Sequence, residues 1–266
     1  MPPADAVLLA ARRLVDARRD GVPCPPVRDL IGSSDVATAY AVQEQVVADL
    51  RSRGARVVGR KIGLTSPAVQ AQLGVDRPDF GVLLDDMDVS GLDVVPLSGL
   101  FQPKVEAEIA FVLGSDLAEG PLDDAQVRAA VEVAIPALEI VDSRVAGWDI
   151  TFGDTVADNG SSALYVLGAS RLGLDAFTPV EAQMTMHVGD ELVSSGNGAA
   201  CLGDPLVALA WLARTALDVG DPLRAGQVVL SGALGPMVAV SPGTTYDAHI
   251  SGLGAVRVTF SEEEWT

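Results

Sequence analysis

The sequence predicts an α+β protein, with a smaller helical N-terminal part and a larger β-rich body built on a mixed or antiparallel sheet. Helical patterns are concentrated in the first third, and alternating apolar segments dominate from about residue 87 onward. Strands and helices do not alternate in the βαβ rhythm of a parallel sheet. We therefore divide the chain into a helical part, residues 1–86, and a β-rich body, residues 87–266.

The first third contains two clear helical patterns. MPPADAVLLAARRLVDARRDG has a short apolar run interrupted by Arg12 and Arg13, which is typical of an amphipathic helix and not of a signal peptide. SSDVATAYAVQEQVVADLRSRG opens with serines that we expect to cap the helix, and it closes on Gly54. Its apolar residues fall roughly on one face: Val36, Tyr40, Val47 and Leu50.

A strand and a short helix follow. ARVVGRKIGL reads as a strand with Lys61 near its end. TSPAVQAQLG has the start and stop signals of a short helix, with Ser66 as the cap, Pro67 in the first turn and Gly74 past the end. VDRPDFG is predicted to be a loop, in which Asp79 follows a proline.

Most of the remaining chain has the alternation of strands. KVEAEIAFVL, AIPALEIVDSR and SALYVLG are strand candidates, and QMTMHVGDELVSS predicts a hairpin that turns at Gly189 and Asp190. GDPLVALAWLARTALDVG predicts a helix that begins near Asp204 and Pro205 and ends near Gly220. Three further strand candidates close the chain, namely QVVLSG, TTYDAHI and AVRVTF.

Composition excludes several classes of protein. The formal net charge of −18 argues against nucleic acid or an anionic membrane as a partner, because both repel an acidic surface. Cys24 and Cys201 lack the spacing of a disulfide framework or a zinc site. No apolar stretch approaches the roughly 20 residues of a membrane span. We therefore expect a cytoplasmic protein, and an anionic substrate would need a metal or a lysine to reverse the local charge.

Two glutamates interrupt an otherwise apolar strand candidate. In FQPKVEAEIAFVL, Glu106 and Glu108 share one face of the strand with Lys104, and their Cα atoms should lie about 6.5–7 Å apart. Carboxylates so close repel each other unless a positive group neutralises them or one is protonated. Both side chains could converge on one cation, although the commoner interpretation of such spacing is a solvated strand face.

A third carboxylate has a similar setting. Glu139 lies between Leu138 and Ile140 in PALEIVDSR. A charged group left unpaired inside a protein costs several kcal/mol. Three strand carboxylates around a hard divalent cation would remove that cost, because Mg²⁺ and Mn²⁺ prefer oxygen ligands. Spacing alone leaves the metal site and the solvated strand faces as open alternatives.

An ordered set of motifs resembles one enzyme family. RKIGLTSPAVQAQLGVDRPDFGVL, QPKVEAEIAFVL, PALEIVDSR and DTVADNGSSALYVLG together resemble the 2-keto-4-pentenoate hydratase family, within the fumarylacetoacetate hydrolase superfamily. The resemblance continues through SSGNGAACLGDPLVALAWLA and LSGALGPMVAVSPG to AHISGLGAVRVTF, so it covers nearly the whole chain. It implies the superfamily's β-rich body with a smaller helical N-terminal part, in a homo-oligomer.

The same resemblance implies a set of site residues. The metal ligands, for Mg²⁺ or Mn²⁺, correspond to Glu106, Glu108 and Glu139, the same glutamates that the strand pattern singles out. The implied catalytic residues are Lys61 and Asp79, which we expect to act as an acid/base pair, with the pKa of Lys61 lowered by the nearby cation. The implied substrate-binding residues are Leu73 in QLG and Ser161 in ADNxSS.

The implied activity is addition of water to 2-hydroxypenta-2,4-dienoate, giving 4-hydroxy-2-oxopentanoate, in the meta-cleavage catabolism of aromatic compounds. Related enzymes include 4-oxalocrotonate decarboxylases, although DTVADN and LSGALGPM look more like the hydratase branch. A third alternative is a non-catalytic subunit that binds a paralogous decarboxylase. The resemblance also implies association with such a decarboxylase or with the downstream aldolase.

Overall fold

The computed structural model of the chain describes residues 4–66, 70 and 77–263. The helices in chain order are α1 (Ala4–Asp20), α2 (Arg28–Ile31), α3 (Val36–Ser52), α4 (Asp124–Ala130), α5 (Phe152–Ala157) and α6 (Pro205–Asp218). The strands in chain order are β1 (Val57–Gly63), β2 (Asp79–Leu84), β3 (Lys104–Leu113), β4 (Val131–Val141), β5 (Ser162–Leu167), β6 (Gln183–Val188), β7 (Glu191–Asn197), β8 (Val228–Leu230), β9 (Val238–Ala239), β10 (Thr245–Ile250) and β11 (Gly254–Thr259).

Within the described part of the chain, the strands form two sheets. The larger sheet has the order β2-β1-β8-β3-β4-β5, with β9 paired to β3, and the smaller has the order β11-β10-β6-β7. In the larger sheet β1 and β8 are parallel and the other pairs are antiparallel. The predicted α+β fold with a mixed sheet is therefore confirmed.

Helix α3 differs from the prediction at its start and on its buried face. The N-terminal cap is Asp35, whose carboxylate accepts a hydrogen bond from the backbone N–H of Thr38, so the predicted serine cap is wrong. Aspartate and serine are both good caps, and the residue directly before the first helical turn takes the role. The buried face is rotated from the predicted one and consists of Thr38, Ala39, Val42, Gln43, Val46 and Val47.

Asp79 is the other residue whose local structure was predicted wrongly. It is the first residue of β2 and pairs with Gly63 of β1, so it does not lie in a loop. Proline fixes its own φ near −65° and has no N–H to donate, so it is common in turns and is also tolerated where a strand begins. Antiparallel pairing with β1 decides between the two, and no local pattern reveals that pairing.

The helical part and the body are joined through the larger sheet. Strands β1 and β2 lie before residue 86 in the chain but pair within this sheet, and the Gln43 side chain of α3 donates hydrogen bonds of 2.9 Å to the carbonyls of Phe80 and Val156. The division at residue 86 stays a prediction. The predicted short helix in TSPAVQAQLG and the predicted site residue Leu73 lie outside the described residues.

One segment comes closer to a membrane span than the sequence analysis expected. Gly198–Asp218, which includes α6, has the length and apolar composition of a span. Half of this segment is nevertheless buried inside the fold, and its residues Ala208, Leu209 and Leu212 belong to the main hydrophobic core. This burial is what a core helix of a globular protein shows. As predicted, Asp204 caps the start of α6.

Candidate metal centre and active site

Strand pairing brings the three glutamates together. Glu106 of β3 lies directly opposite Glu139 of β4, and Glu108 lies two residues further along the same face of β3. One carboxylate oxygen from each lies within 4.8 Å of the others. Glu106 is half-buried, whereas Glu108 and Glu139 are almost fully buried. The register of β3 on β4 therefore brings together the three glutamates that the sequence singled out as candidate ligands.

Three of the six carboxylate oxygens in this cluster are buried and have no hydrogen bond to the described residues. Oε2 of Glu108 accepts a bond of 2.8 Å from the backbone N–H of Gly232, but its Oε1 and both oxygens of Glu139 accept none. Buried polar atoms are normally paired, because an unpaired one loses its solvation without compensation. Three inward-facing carboxylates with free oxygens are the donor set of a hard divalent cation, so these residues fit Mg²⁺ or Mn²⁺.

Burial and mutual repulsion raise the pKa values of the three carboxyl groups in the cluster. Burial raises the pKa of Glu106 to about 7, with the charge of Glu139 adding to the effect and Lys61 opposing it. Burial also raises the pKa of Glu108 and of Glu139 above the usual value of 4.5. A cation that binds here must therefore displace protons.

This proton competition predicts a pH dependence. Because the folded-state pKa of Glu106 is raised from 4.5 to about 7, the contribution of this group to stability is fully present below pH 4.5 and is lost as pH rises through about 7. Mg²⁺ replaces the lost protons, so the rise in Tm caused by saturating Mg²⁺ should grow between about pH 5 and about pH 8. Differential scanning fluorimetry with Mg²⁺ or with a chelator measures this rise. An Mg²⁺-induced rise that is equal at both ends of the range would contradict the linkage.

Lys61 and Asp79 lie beside the glutamates. Nζ of Lys61 is 3.5 Å from Oε1 of Glu139, and both Lys61 and Asp79 are almost fully buried. Burial lowers the pKa of Lys61, but Glu139, Asp79 and the other two glutamates outweigh it, so the pKa is raised. The predicted lowering concerns the site with its cation bound and stays a prediction; without the cation, the four surrounding carboxylates raise the pKa of Lys61. Burial raises the pKa of Asp79, and Lys61 opposes that shift.

Gly63 makes room for the Asp79 carboxyl group. A Cβ at Gly63 would lie 2.1 Å from Oδ1 of Asp79 and 3.3 Å from Nζ of Lys61. Gly63→Ala should therefore displace Asp79 and lower kcat by about tenfold or more, with Mn²⁺ affinity nearly unchanged. Steady-state kinetics and calorimetric Mn²⁺ titration check this result. Gly91→Ala is the matched control, because a Cβ at Gly91 meets nothing within 4 Å; equal kcat values for both variants would contradict the prediction.

A left-handed turn places Ser161 on the wall of a cavity that Lys61 and Asp79 also line. Asn159, Gly160 and Ser161 have φ values of 56°, 62° and 56°, and such a run is rare for residues other than glycine. The Asn159 side chain fastens the turn to β2, accepting from Val82 N–H at 2.7 Å and donating to Val82 C=O at 2.9 Å. Asn159 was not predicted as a site residue, and only its position in ADNxSS could have pointed to it.

The cavity that these groups share has a volume of about 410 Å³. Of the predicted site residues that the structure describes, Lys61, Asp79, Glu106 and Ser161 line it, whereas Glu108 and Glu139 lie next to it in the carboxylate cluster with Glu106. Trp148 was not predicted as a site residue, and Lys104 was noted only as sharing a strand face with Glu106 and Glu108; both line this cavity. A half-open cavity with a carboxylate cluster, an ammonium and a buried carboxyl group can bind a small 2-oxo acid through a metal and move protons on it.

Similar proteins were found by sequence and by structure. The profile of the fumarylacetoacetate (FAA) hydrolase C-terminal family matches residues 85–261, which is more than half of the chain. A 2-keto-4-pentenoate hydratase of Paraburkholderia xenovorans is 52% identical over 96% of this chain and 95% of its own length. A protein of the same name from Burkholderia vietnamiensis is 53% identical over 97% and 98%. The chain belongs to the 2-keto-4-pentenoate hydratase family.

Members of this family and the decarboxylases share one fold. The crystal structure of 4-oxalocrotonate decarboxylase from Pseudomonas putida G7, complexed with magnesium and adipate, has a TM-score of 0.93 to this chain. It is 33% identical and covers 98% of this chain and 99% of its own. The fold therefore does not separate hydratases from decarboxylases, but the identity of about half the residues to the hydratases does favour the hydratase branch.

Proposed function

We propose that this chain adds water to 2-hydroxypenta-2,4-dienoate to give 4-hydroxy-2-oxopentanoate, in the meta-cleavage catabolism of aromatic compounds. The observation that carries the proposal is the cluster of Glu106, Glu108 and Glu139, whose oxygens lie within 4.8 Å of one another beside the cavity that holds Lys61 and Asp79. In the 2-keto-4-pentenoate hydratase family, this arrangement fits a metal-dependent hydratase.

The three glutamates would hold Mg²⁺ or Mn²⁺. When bound, the cation would supply Lewis acidity and positive charge to the oxygens of an anionic 2-oxo acid. Strands β3 and β4 hold the ligands rigidly, and Gly232 N–H fixes one oxygen of Glu108, so that its other oxygen stays directed into the cluster. Either Mg²⁺ or Mn²⁺ could supply this Lewis acidity.

Lys61 and Asp79 would carry the protons. Hydration needs a proton delivered to C5 of the dienol as the 2-hydroxyl loses its own, which gives a 2-oxo-3-enoate. Water then adds its oxygen to C4 and a proton is delivered to C3, so that the sum is the addition of one water. Lys61, held as an ammonium by its acidic neighbours, can donate a proton, and the adjacent Asp79 can exchange one with the water.

Ser161 would orient the substrate carboxylate or the water. Its hydroxyl lies 3.1 Å from that of Thr155, on the wall of the cavity. One of these two hydroxyls donates to the other, which leaves a donor available to the ligand. Leu73 stays a prediction as a substrate-lining residue.

The activity is tested with the purified chain and Mg²⁺ or Mn²⁺. Loss of the dienoate's ultraviolet absorbance, with 4-hydroxy-2-oxopentanoate identified by NMR, supports the proposal. Release of CO₂ from 4-oxalocrotonate, without hydration of the dienoate, would instead establish the decarboxylase, the alternative that has the same fold. Turnover of neither substrate would point to a non-catalytic partner subunit.

We further propose a cytoplasmic homo-oligomer, associated with a paralogous decarboxylase or with the downstream aldolase. The net charge of −18 supports a partner that is neither nucleic acid nor an anionic membrane. The oligomer and the enzyme partners rest on the family resemblance. Light scattering of the purified chain, alone and mixed with each partner, tests them.

A further inference from the structure

Lys104 is placed as a binding residue of the same cavity. It is the first residue of β3, two residues before Glu106 on the same face, and it pairs with Val141 of β4. Its Cα therefore lies about 6.6 Å along the strand from that of Glu106, within the reach of a lysine side chain. The sequence contains only two lysines, Lys61 and Lys104, and both line this cavity.

The Lys104 ammonium has free hydrogen-bond donors. Its Nζ lies 4.3 Å from the centroid of the Trp148 ring, and among the described residues it has no hydrogen-bond or ion-pair partner. A ring face attracts the charge but accepts no strong hydrogen bond. A half-buried ammonium with three unused N–H donors on a cavity wall is suited to an oxygen of the ligand.

Trp148 is itself held in an unusual conformation. Its φ is +54°, in a region that aromatic residues rarely occupy, and its indole N–H donates a bond of 2.9 Å to the backbone carbonyl of Gln102. The side-chain amide of Gln102 in turn donates to the carbonyls of Ser143 and Val145, at 3.0 and 2.6 Å. These bonds fix the ring against which Lys104 rests, and strained residues that are fixed in this way cluster at binding sites.

A 2-oxo acid that gave a metal two of its oxygens would have one carboxylate oxygen left to be bound by the protein. The three glutamates and Asp79 carry four negative charges when ionised, and a divalent cation with the two lysines supplies four positive ones. If the cation takes one carboxylate oxygen and the 2-oxygen of the substrate, the second carboxylate oxygen still needs a donor. Ser161 offers a neutral hydroxyl, and Lys104 offers a charged donor that forms the stronger bond.

We propose that Lys104 binds the second carboxylate oxygen of the 2-oxo acid and that Trp148 is the residue that positions Lys104. The nature of the substrate rests on the proposed function, whereas the contact itself concerns any ligand with adjacent carboxylate and 2-oxo oxygens. The rival is that Lys104 binds a carboxylate at the far end of a longer dicarboxylate.

Oxalate distinguishes the proposed contact from the rival one. It carries two adjacent oxygens that can mimic the carboxylate and 2-oxo oxygens, and it has no distant second carboxylate. Calorimetric titration of the Mn²⁺-loaded protein should show oxalate binding about tenfold or more weaker in Lys104→Met than in wild type, and nearly restored in Lys104→Arg. Arg12→Met, an exposed change on α1 with the same loss of charge, is the control and should leave oxalate binding within about twofold. Unchanged Mn²⁺ affinity and stoichiometry show that each variant is folded.

Two results would overturn the proposal. One is an oxalate Kd in Lys104→Met within about twofold of wild type. The other is weakening confined to adipate, which would assign Lys104 to the far end. If wild type binds oxalate through Lys104 but hydrates no dienoate, the contact stands and the proposed function fails.

NMR tests the positioning role of Trp148. Reductive ¹³C-methylation labels lysines, and the methyl resonance of Lys104 should be shifted upfield by the ring current of Trp148. Trp148→Leu should remove that shift and weaken oxalate binding by about threefold or more, while Trp148→Phe should retain part of both. An unchanged resonance or unchanged oxalate binding in Trp148→Leu would overturn the positioning role.

Discussion

Glu108→Gln will abolish stoichiometric Mn²⁺ binding and lower dienoate hydration by at least about 10³-fold. The side chain is fully buried, with one oxygen held by Gly232 N–H and the other directed at Glu106 and Glu139. An amide of the same shape keeps the packing but removes a charge and replaces one oxygen by a donor that cannot ligate. The loss therefore falls on the metal and not on the fold.

The matched control is Glu132→Gln. Glu132 is an exposed residue of β4, the strand that carries Glu139, so its substitution makes the same chemical change outside the cluster. Calorimetric Mn²⁺ titration and the ultraviolet assay are measured for both variants. Full activity with stoichiometric Mn²⁺ binding in Glu108→Gln would contradict the ligand assignment.

Lys61→Met will separate proton transfer from metal binding. We expect kcat to fall by about 10²- to 10⁴-fold, the usual contribution of a general acid or base. Mn²⁺ affinity should stay equal or rise, because the substitution removes a positive charge that lies 3.5 Å from Oε1 of Glu139. A structural defect would lower both quantities, so their opposite behaviour is diagnostic.

The control for Lys61→Met is Arg171→Met, which removes an exposed positive charge elsewhere. It should change neither kcat nor Mn²⁺ affinity. The activity and the calorimetric titration are again measured on the same preparations. A Lys61→Met enzyme with wild-type kcat would remove Lys61 from the proton-transfer role and leave Asp79 as the only candidate.

Local patterns predicted the strand that carries Glu106 and Glu108 because alternation is a property of neighbouring residues. They also located Glu139, since a lone carboxylate within an apolar run needs an explanation. The contact between Glu106 and Glu139 depends on the register of β3 on β4, which pairs residues 33 positions apart and which short segments do not encode. The resemblance, and not the spacing, raised the metal site above the solvated alternative.

The errors have the same origin. Asp79 was assigned to a loop because Pro78 is a local signal, whereas its place in β2 comes from pairing with Gly63. The raised pKa of Lys61 in the absence of the cation was not anticipated, because the sequence does not show how many carboxylates surround this lysine. Trp148 was not predicted as a site residue, because its role follows from its contact with Lys104 and its hydrogen bond to Gln102. Both partners are distant from Trp148 in the sequence.

The proposed activity depends on one divalent cation bound by glutamates of two paired strands. The most direct test is a crystal structure of the protein with Mn²⁺ and oxalate, using anomalous scattering to locate the ion. We expect one Mn²⁺ ligated by Glu106, Glu108 and Glu139, with oxalate completing its coordination on the side of the cavity. An anomalous peak elsewhere, or three glutamates that share no ion at saturating Mn²⁺, would contradict it.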